Sequence, residues 1–72
     1  MTQFRATLVD AVHPKCPDRP LVIYCNDGEG AKTWARTVLK AIDAGVYPNA
    51  RVQIDEMKYV PWNGVKIAEV QQ

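Results

Sequence analysis

Residues 21–45 read LVIYCNDGEGAKTWARTVLKAIDAG, and this stretch decides the fold class. Leu21 to Cys25 is apolar throughout, which predicts a strand that is covered on both faces. A glycine-rich turn follows and leads into an amphipathic helix. The helix is expected to begin near Asp27, whose carboxylate can accept hydrogen bonds from unpaired backbone N–H groups. Gly45 predicts the end of the helix, because glycine readily adopts the left-handed conformation.

The helix is expected to bury one apolar stripe against a sheet and to expose the opposite side. At about 100° per residue, the apolar stripe contains Ala31, Trp34, Ala35, Val38, Leu39, Ile42 and Val46. The opposite side carries Lys32, Arg36, Lys40 and Asp43.

Two further regions complete the predicted architecture. Alternating apolar residues from Phe4 to Val12 predict a half-exposed strand before the helix unit, and residues 50–70 predict a pair of strands after it. The order β-β-α-β-β predicts an α+β fold with two layers, a four-stranded mixed sheet and one helix on one face. We expect the second and third strands to be parallel, with a right-handed crossover, and the outer pairs to be antiparallel hairpins.

The Asn63-Gly64 pair predicts a type I′ hairpin in the second half of the chain. A two-residue loop would pair Trp62 with Val65, Val60 with Ile67, and Lys58 with Glu69. Upstream, the apolar alternation slips by one residue at Asp55-Glu56, which predicts a β-bulge. The bulge would bring four side chains to the core face: Val52, Ile54, Met57 and Tyr59. The opposite assignment of the two faces is nearly as compatible with the pattern.

Size and composition limit the classes of function. We expect the 72 residues to form a single domain, residues 1–72. Nine Lys and Arg oppose eight Asp and Glu, for a net charge of +1. A domain that binds nucleic acid mainly through phosphates is normally clearly basic, so strong nucleic-acid binding is not expected. The apolar runs are too short for a membrane span and the first residues lack a signal-peptide core. We therefore expect a cytoplasmic protein with free thiols at Cys16 and Cys25.

The chain offers poor material for catalysis or metal binding. It contains one histidine and no serine. His13, Cys16 and Cys25 supply three ligands in a spacing that does not form the two close pairs typical of zinc sites. We predict a protein that is not an enzyme and that holds no metal or cofactor.

The favoured function hypothesis is binding of another protein, or self-association, through the apolar surface of the second hairpin. The exposed patch would consist of Val60, Trp62, Val65 and Ile67, with Tyr59 as a neighbouring contact, and tryptophan and tyrosine are common interface anchors. The predicted contact residues are Tyr59, Val60, Trp62, Val65 and Ile67. The small size without catalytic groups is typical of inhibitors and accessory proteins such as those that phages and mobile elements encode.

Two other hypotheses use the helix. The turn before it matches only the last two positions of a phosphate-binding loop of the form GxxxxGK[ST]. It could still hold a small ligand or nucleotide through Asn26, Gly28, Gly30, Lys32 and Thr33. The basic stripe of Lys32, Arg36 and Lys40 could instead contact nucleic acid weakly, or an acidic protein.

Overall fold

The computed structural model describes residues 2–57 and 64–71, and only the backbone of residues 64–66. The elements follow the predicted order. They are β1 (Gln3–Val9), β2 (Val22–Cys25), α1 (Gly28–Ala41), β3 (Arg51–Met57) and β4 (Gly64–Gln71).

The four strands form one sheet in the order β2-β1-β3-β4, and every neighbouring pair is antiparallel. The α+β class and the two antiparallel hairpins are confirmed, whereas the mixed sheet is wrong. β2 and β3 run in the same direction, as predicted, but β1 lies between them. The helical connection crosses over β1, because β1 already pairs with β2 on one edge and with β3 on the other.

The prediction that β2 is covered on both faces is also wrong. Val22 is 37% exposed and Tyr24 is 59% exposed, while Ile23 and Cys25 pack against the core. β2 lies at an edge of a sheet whose single helix covers one face. The unbroken apolar run at this edge reflects the preference of valine and tyrosine for strands rather than burial.

α1 begins as predicted. Asp27 is the N-cap, with extended backbone angles, and its carboxylate accepts a hydrogen bond from the Glu29 N–H at 3.0 Å. The helix ends earlier than predicted, at Ala41, because Ile42 becomes extended and buries its side chain in the core. No glycine in the described part of the chain has a positive φ, so Gly45 is not a left-handed cap. Val46 lies beyond the helix and is 62% exposed.

The core lies between α1 and the two central strands. Small side chains line the contact: Ala31 and Ala35 on the helix and Ala6 on β1 are fully buried, which allows the helix to approach the sheet closely. The largest fully buried side chains are Val52 and Ile54 on β3. Leu8, Val38, Leu39, Ile42 and Ala50 complete the buried apolar set, and Trp34, Ala68 and Val70 pack against it.

The register of β4 differs from the prediction. Val65 lies opposite Glu56 and Glu69 opposite Gln53, so the pairs expected from a two-residue turn are wrong. Residues 58–63, including Asn63 of the predicted turn, lie outside the described part of the chain.

The predicted irregularity in this hairpin exists, but on the other strand. Ile54 pairs with Ala68 and Asp55 with Lys66, which leaves Ile67 as the extra residue of a bulge on β4. Because β1 pairs continuously with β3, the bulge falls on the edge strand. Met57 is therefore on the face opposite Val52 and Ile54, in contrast to the prediction.

Truncation of the central β3 side chain tests this core. Ile54→Ala should lower the free energy of unfolding by about 2–5 kcal/mol, because it removes buried methyl groups and leaves a cavity. Ile54→Val should cost only about 0.5–1.5 kcal/mol. Val46→Ala is the control, since its exposed side chain should contribute less than about 0.5 kcal/mol. Urea denaturation measures all three, and equal losses at positions 54 and 46 would contradict the assigned core.

Candidate functional site

β4 forms one edge of the sheet, and it is the longer of the two edge strands. β4 is hydrogen-bonded to β3 on one side, and no strand of the described part of the chain lies beyond it. The bulge at Ile67 interrupts the strand, so that residues 68–71 form its longest regular stretch. Ile67 is 44% exposed. At the other edge of the sheet, β2 has only four residues.

A groove runs beside this edge, between the second half of α1 and the end of β4. Its volume is about 440 Å³. Leu39, Ile42 and Val70 provide an apolar floor, because their side chains belong to the core or pack against it. Arg36 and Lys40 lie at the helix side and are exposed. The groove therefore combines an apolar surface with two positive charges.

The basic stripe predicted on α1 is divided in the structure. Lys32 lies 3.9 Å from the Glu29 carboxylate, so a neighbouring acid offsets its charge. Arg36 and Lys40 form no ion pair with any residue of 2–57 or 64–71. Of the three cations in the stripe, only Arg36 and Lys40 line the groove, and both are exposed.

The predicted ligand-binding turn is occupied by the helix cap. The Asp27 carboxylate already accepts one of the N–H groups that an anion would need. A Cβ at Gly28 would lie 3.6 Å from the Phe4 ring, and one at Gly30 would meet nothing closer than 3.9 Å. Asn26 and Thr33 are exposed. These glycines lack the positive φ of a phosphate cradle, and the turn's geometry is explained by helix initiation.

The cap can be tested by two substitutions with opposite signs. Gly30→Ala should raise the free energy of unfolding by up to about 1 kcal/mol, because alanine loses less entropy in a helix and its Cβ has room. Asp27→Ala should lower it by about 1 kcal/mol through loss of the cap. Thermal and urea unfolding give both values. A clear loss of stability in Gly30→Ala would show that the turn needs glycine for another reason.

A buried carboxylate lies on the sheet face opposite α1. Asp55 is only 4% exposed, and its carboxylate accepts hydrogen bonds from Arg5 at 3.2 Å and Gln53 at 3.3 Å. A shallow depression of about 330 Å³ surrounds this pair. It is lined by Arg5, Thr7, Val9, Val22, Tyr24, Gln53 and Asp55. The ion pair compensates the charge of a carboxylate that is buried on a face without a described helix above it.

Neutralising two of the three carboxylates that pair with arginines, Asp55 and Asp10, should have unequal effects. Asp55→Asn is expected to lower the free energy of unfolding by about 1–3 kcal/mol, because it removes a buried charge that a partly buried arginine faces. Asp10→Asn is the matched control. Its carboxylate is exposed and pairs with Arg51, so the loss should stay below about 1 kcal/mol, and asparagine tolerates the left-handed backbone of residue 10. Equal losses in urea titrations would contradict the burial of Asp55.

A second ionic cluster fixes the position of β4. Arg51 on β3 pairs with Asp10, which follows β1, and with Glu69 on β4 at a distance of 3.2 Å. These residues line a polar cavity of about 420 Å³. The cluster links three neighbouring chain segments: the residue that follows β1, the start of β3 and the second half of β4.

The candidate metal ligands predicted from the sequence are His13, Cys16 and Cys25. His13 Nδ1 accepts a hydrogen bond from the Lys15 N–H at 3.1 Å, and the His13 carbonyl accepts one from Cys16 at 2.9 Å, so His13 helps form a turn. Cys16 and Cys25 are free thiols, as predicted. Within residues 2–57 and 64–71, no three His, Cys, Asp or Glu side chains gather as metal ligands would. No helix in this part of the chain could span a membrane.

The predicted hairpin contacts are only partly placed. Tyr59, Val60 and Trp62 lie outside the described residues, and Val65 is described by its backbone alone. Ile67 is the member whose side chain is seen, and it is exposed. The sequence did not predict the groove, because Leu39 and Ile42 were assigned only to the buried stripe of the helix. Searches against protein-family models, curated proteins and solved structures give no match for this chain.

Proposed function

We propose that this protein is a binding module that takes an extended segment of a partner protein as an additional strand along β4. The observation that carries the proposal is the outer edge of β4, which pairs with no described strand. The exposed Ile67 side chain belongs to this strand, and the α1–β4 groove lies beside it. Such a module acts by occupying its partner, as an inhibitor or accessory protein does.

Strand addition fits the local geometry. Edge strands present unpaired N–H and C=O groups that readily pair with another chain. Main-chain hydrogen bonds then supply affinity, and neighbouring pockets for alternate side chains supply specificity. Residues 68–71 offer a regular ladder for this purpose, and the groove beside them offers a pocket of about 440 Å³. Tyr59, Val60, Trp62 and Val65 come just before or early in β4 in the chain, and we retain them as proposed contacts.

A peptide library provides the direct test. Short random peptides displayed on phage are selected on the immobilised protein, and the recovered sequences are titrated by fluorescence anisotropy. Strand addition predicts that methylating alternate peptide nitrogens, those that face β4, weakens binding at least about tenfold, whereas methylating the intervening nitrogens has little effect.

Two outcomes would contradict the proposal. One is a library that yields no peptide with a Kd below about 100 μM, and the other is binding that is indifferent to methylation. Sedimentation at rising concentration tests self-association, and a dimer that blocks peptide binding would assign the β4 edge to a second copy of this chain instead.

The bulge residue is expected to contribute to binding rather than to folding. Ile67→Ser should weaken a selected peptide about tenfold, because an exposed isoleucine beside the added strand would become buried against it. Its effect on unfolding should stay below about 1 kcal/mol. Val46→Ser is the matched control, since it changes an exposed aliphatic residue that belongs neither to β4 nor to the groove lining, and it should leave affinity unchanged. Equal losses of affinity in the two variants would remove Ile67 from the binding surface.

A further inference from the structure

We propose that the α1–β4 groove selects partner segments by charge, so that the added strand carries acidic side chains toward Arg36 and Lys40 and an apolar side chain on the groove floor. This inference rests on the proposed function and specifies the class of partner. The occupant is an extended acidic segment of another protein.

Charge complementarity is the first support. Arg36 and Lys40 line the groove and are exposed, and no acid of the described residues pairs with either. The adjacent cation, Lys32, has Glu29 within 3.9 Å and does not line the groove. A partner carboxylate can therefore find two uncompensated cations at this position and no competing acid among the groove-lining residues.

The spacing of the cations suits a strand. Residues four apart in a helix are separated by about 6 Å along its axis, and they lie on the same face. Alternate residues of a strand are separated by about 6.6 Å and also point to one side. Carboxylates at alternate positions of an extended segment therefore match the separation of Arg36 and Lys40. The pattern expected in the partner is an acid, one intervening residue and a second acid.

The groove floor favours a polypeptide over a nucleic acid. Leu39, Ile42 and Val70 form an apolar surface, which a phosphodiester backbone would leave unfilled and an aliphatic side chain would cover. Two cations are also few for a nucleic-acid site, whose affinity comes mainly from several neutralised phosphates. An acidic peptide with one apolar residue satisfies both parts of the surface.

Parallel selections test the charge preference. The same random peptide library is selected on the wild-type protein, on Arg36→Glu/Lys40→Glu, and on Lys15→Glu/Arg19→Glu. The last variant is a matched control, because it makes the same change in net charge at two exposed residues of the β1–β2 connection. Circular dichroism and unfolding curves establish that all three proteins are folded.

The wild-type protein and the control should both enrich peptides with Asp or Glu at alternate positions. The groove variant should lose this enrichment and favour Lys or Arg. Each exposed ion pair changes Kd by up to about fivefold. The glutamate substitutions reverse the charge at both positions, so that attraction of an acidic peptide becomes repulsion. An acidic peptide should therefore bind the groove variant at least about tenfold more weakly, and the difference should shrink at high salt.

The outcomes separate this inference from the proposed function. In one outcome, binding depends on alternate peptide N–H groups, but the groove variant and the control select peptides of the same composition. This outcome would support strand addition and overturn the charge preference. A library without binders would overturn both. Binding of a single-stranded oligonucleotide that competes with the peptide and is lost in the groove variant would assign Arg36 and Lys40 to phosphate and overturn the acidic-peptide inference.

Discussion

The close contact of α1 with β1 and β3 determines the rest of the structure. Alanines at positions 6, 31 and 35 meet in this layer without exposed surface, so the helix axis approaches the sheet closely over its centre. An α-helix is about 10–12 Å wide, whereas the outermost strands of a four-stranded sheet are about 14 Å apart. One helix seated over the centre therefore cannot cover both edges, and a groove remains beside β4.

Ionic contacts take the place of a second layer on the opposite face. Arg5 and Asp55 neutralise each other across neighbouring strands, and Arg51 joins Asp10 and Glu69. This face therefore carries a buried, charge-compensated carboxylate beside the exposed side chains of Val22 and Tyr24. The Arg51–Glu69 pair also joins β4 to β3. The features that support the proposed binding surface lie at the edge of β4, where main-chain groups and apolar side chains lie beside Arg36 and Lys40, which pair with no acid of residues 2–57 or 64–71.

Local features were predictable from the sequence, and long-range pairing was not. The N-cap at Asp27 and the helix stripe through Ala31, Ala35 and Val38 follow from neighbouring residues, and the structure confirms them. The position of β1 between β2 and β3 depends on which edges meet after the helix has packed, which no local pattern encodes. The bulge shows where local prediction ends. The one-residue slip was visible in the sequence at Asp55. Because β3 pairs regularly with β1, the extra residue is Ile67 on β4 instead. The groove could not be predicted either, because it depends on the position of Val70 on β4 relative to Leu39 on α1.

The most direct test of the central claim is amide hydrogen exchange in β4, followed by NMR in the free protein and with a selected peptide bound. If the outer edge of β4 receives a strand, the outward-facing amides within residues 68–71 exchange quickly in the free protein. Those alternate amides then become protected on binding, while the inward-facing ones that bond to β3 change little. Protection that appears at β2 or on the Asp55 face, with β4 unchanged, would contradict the account.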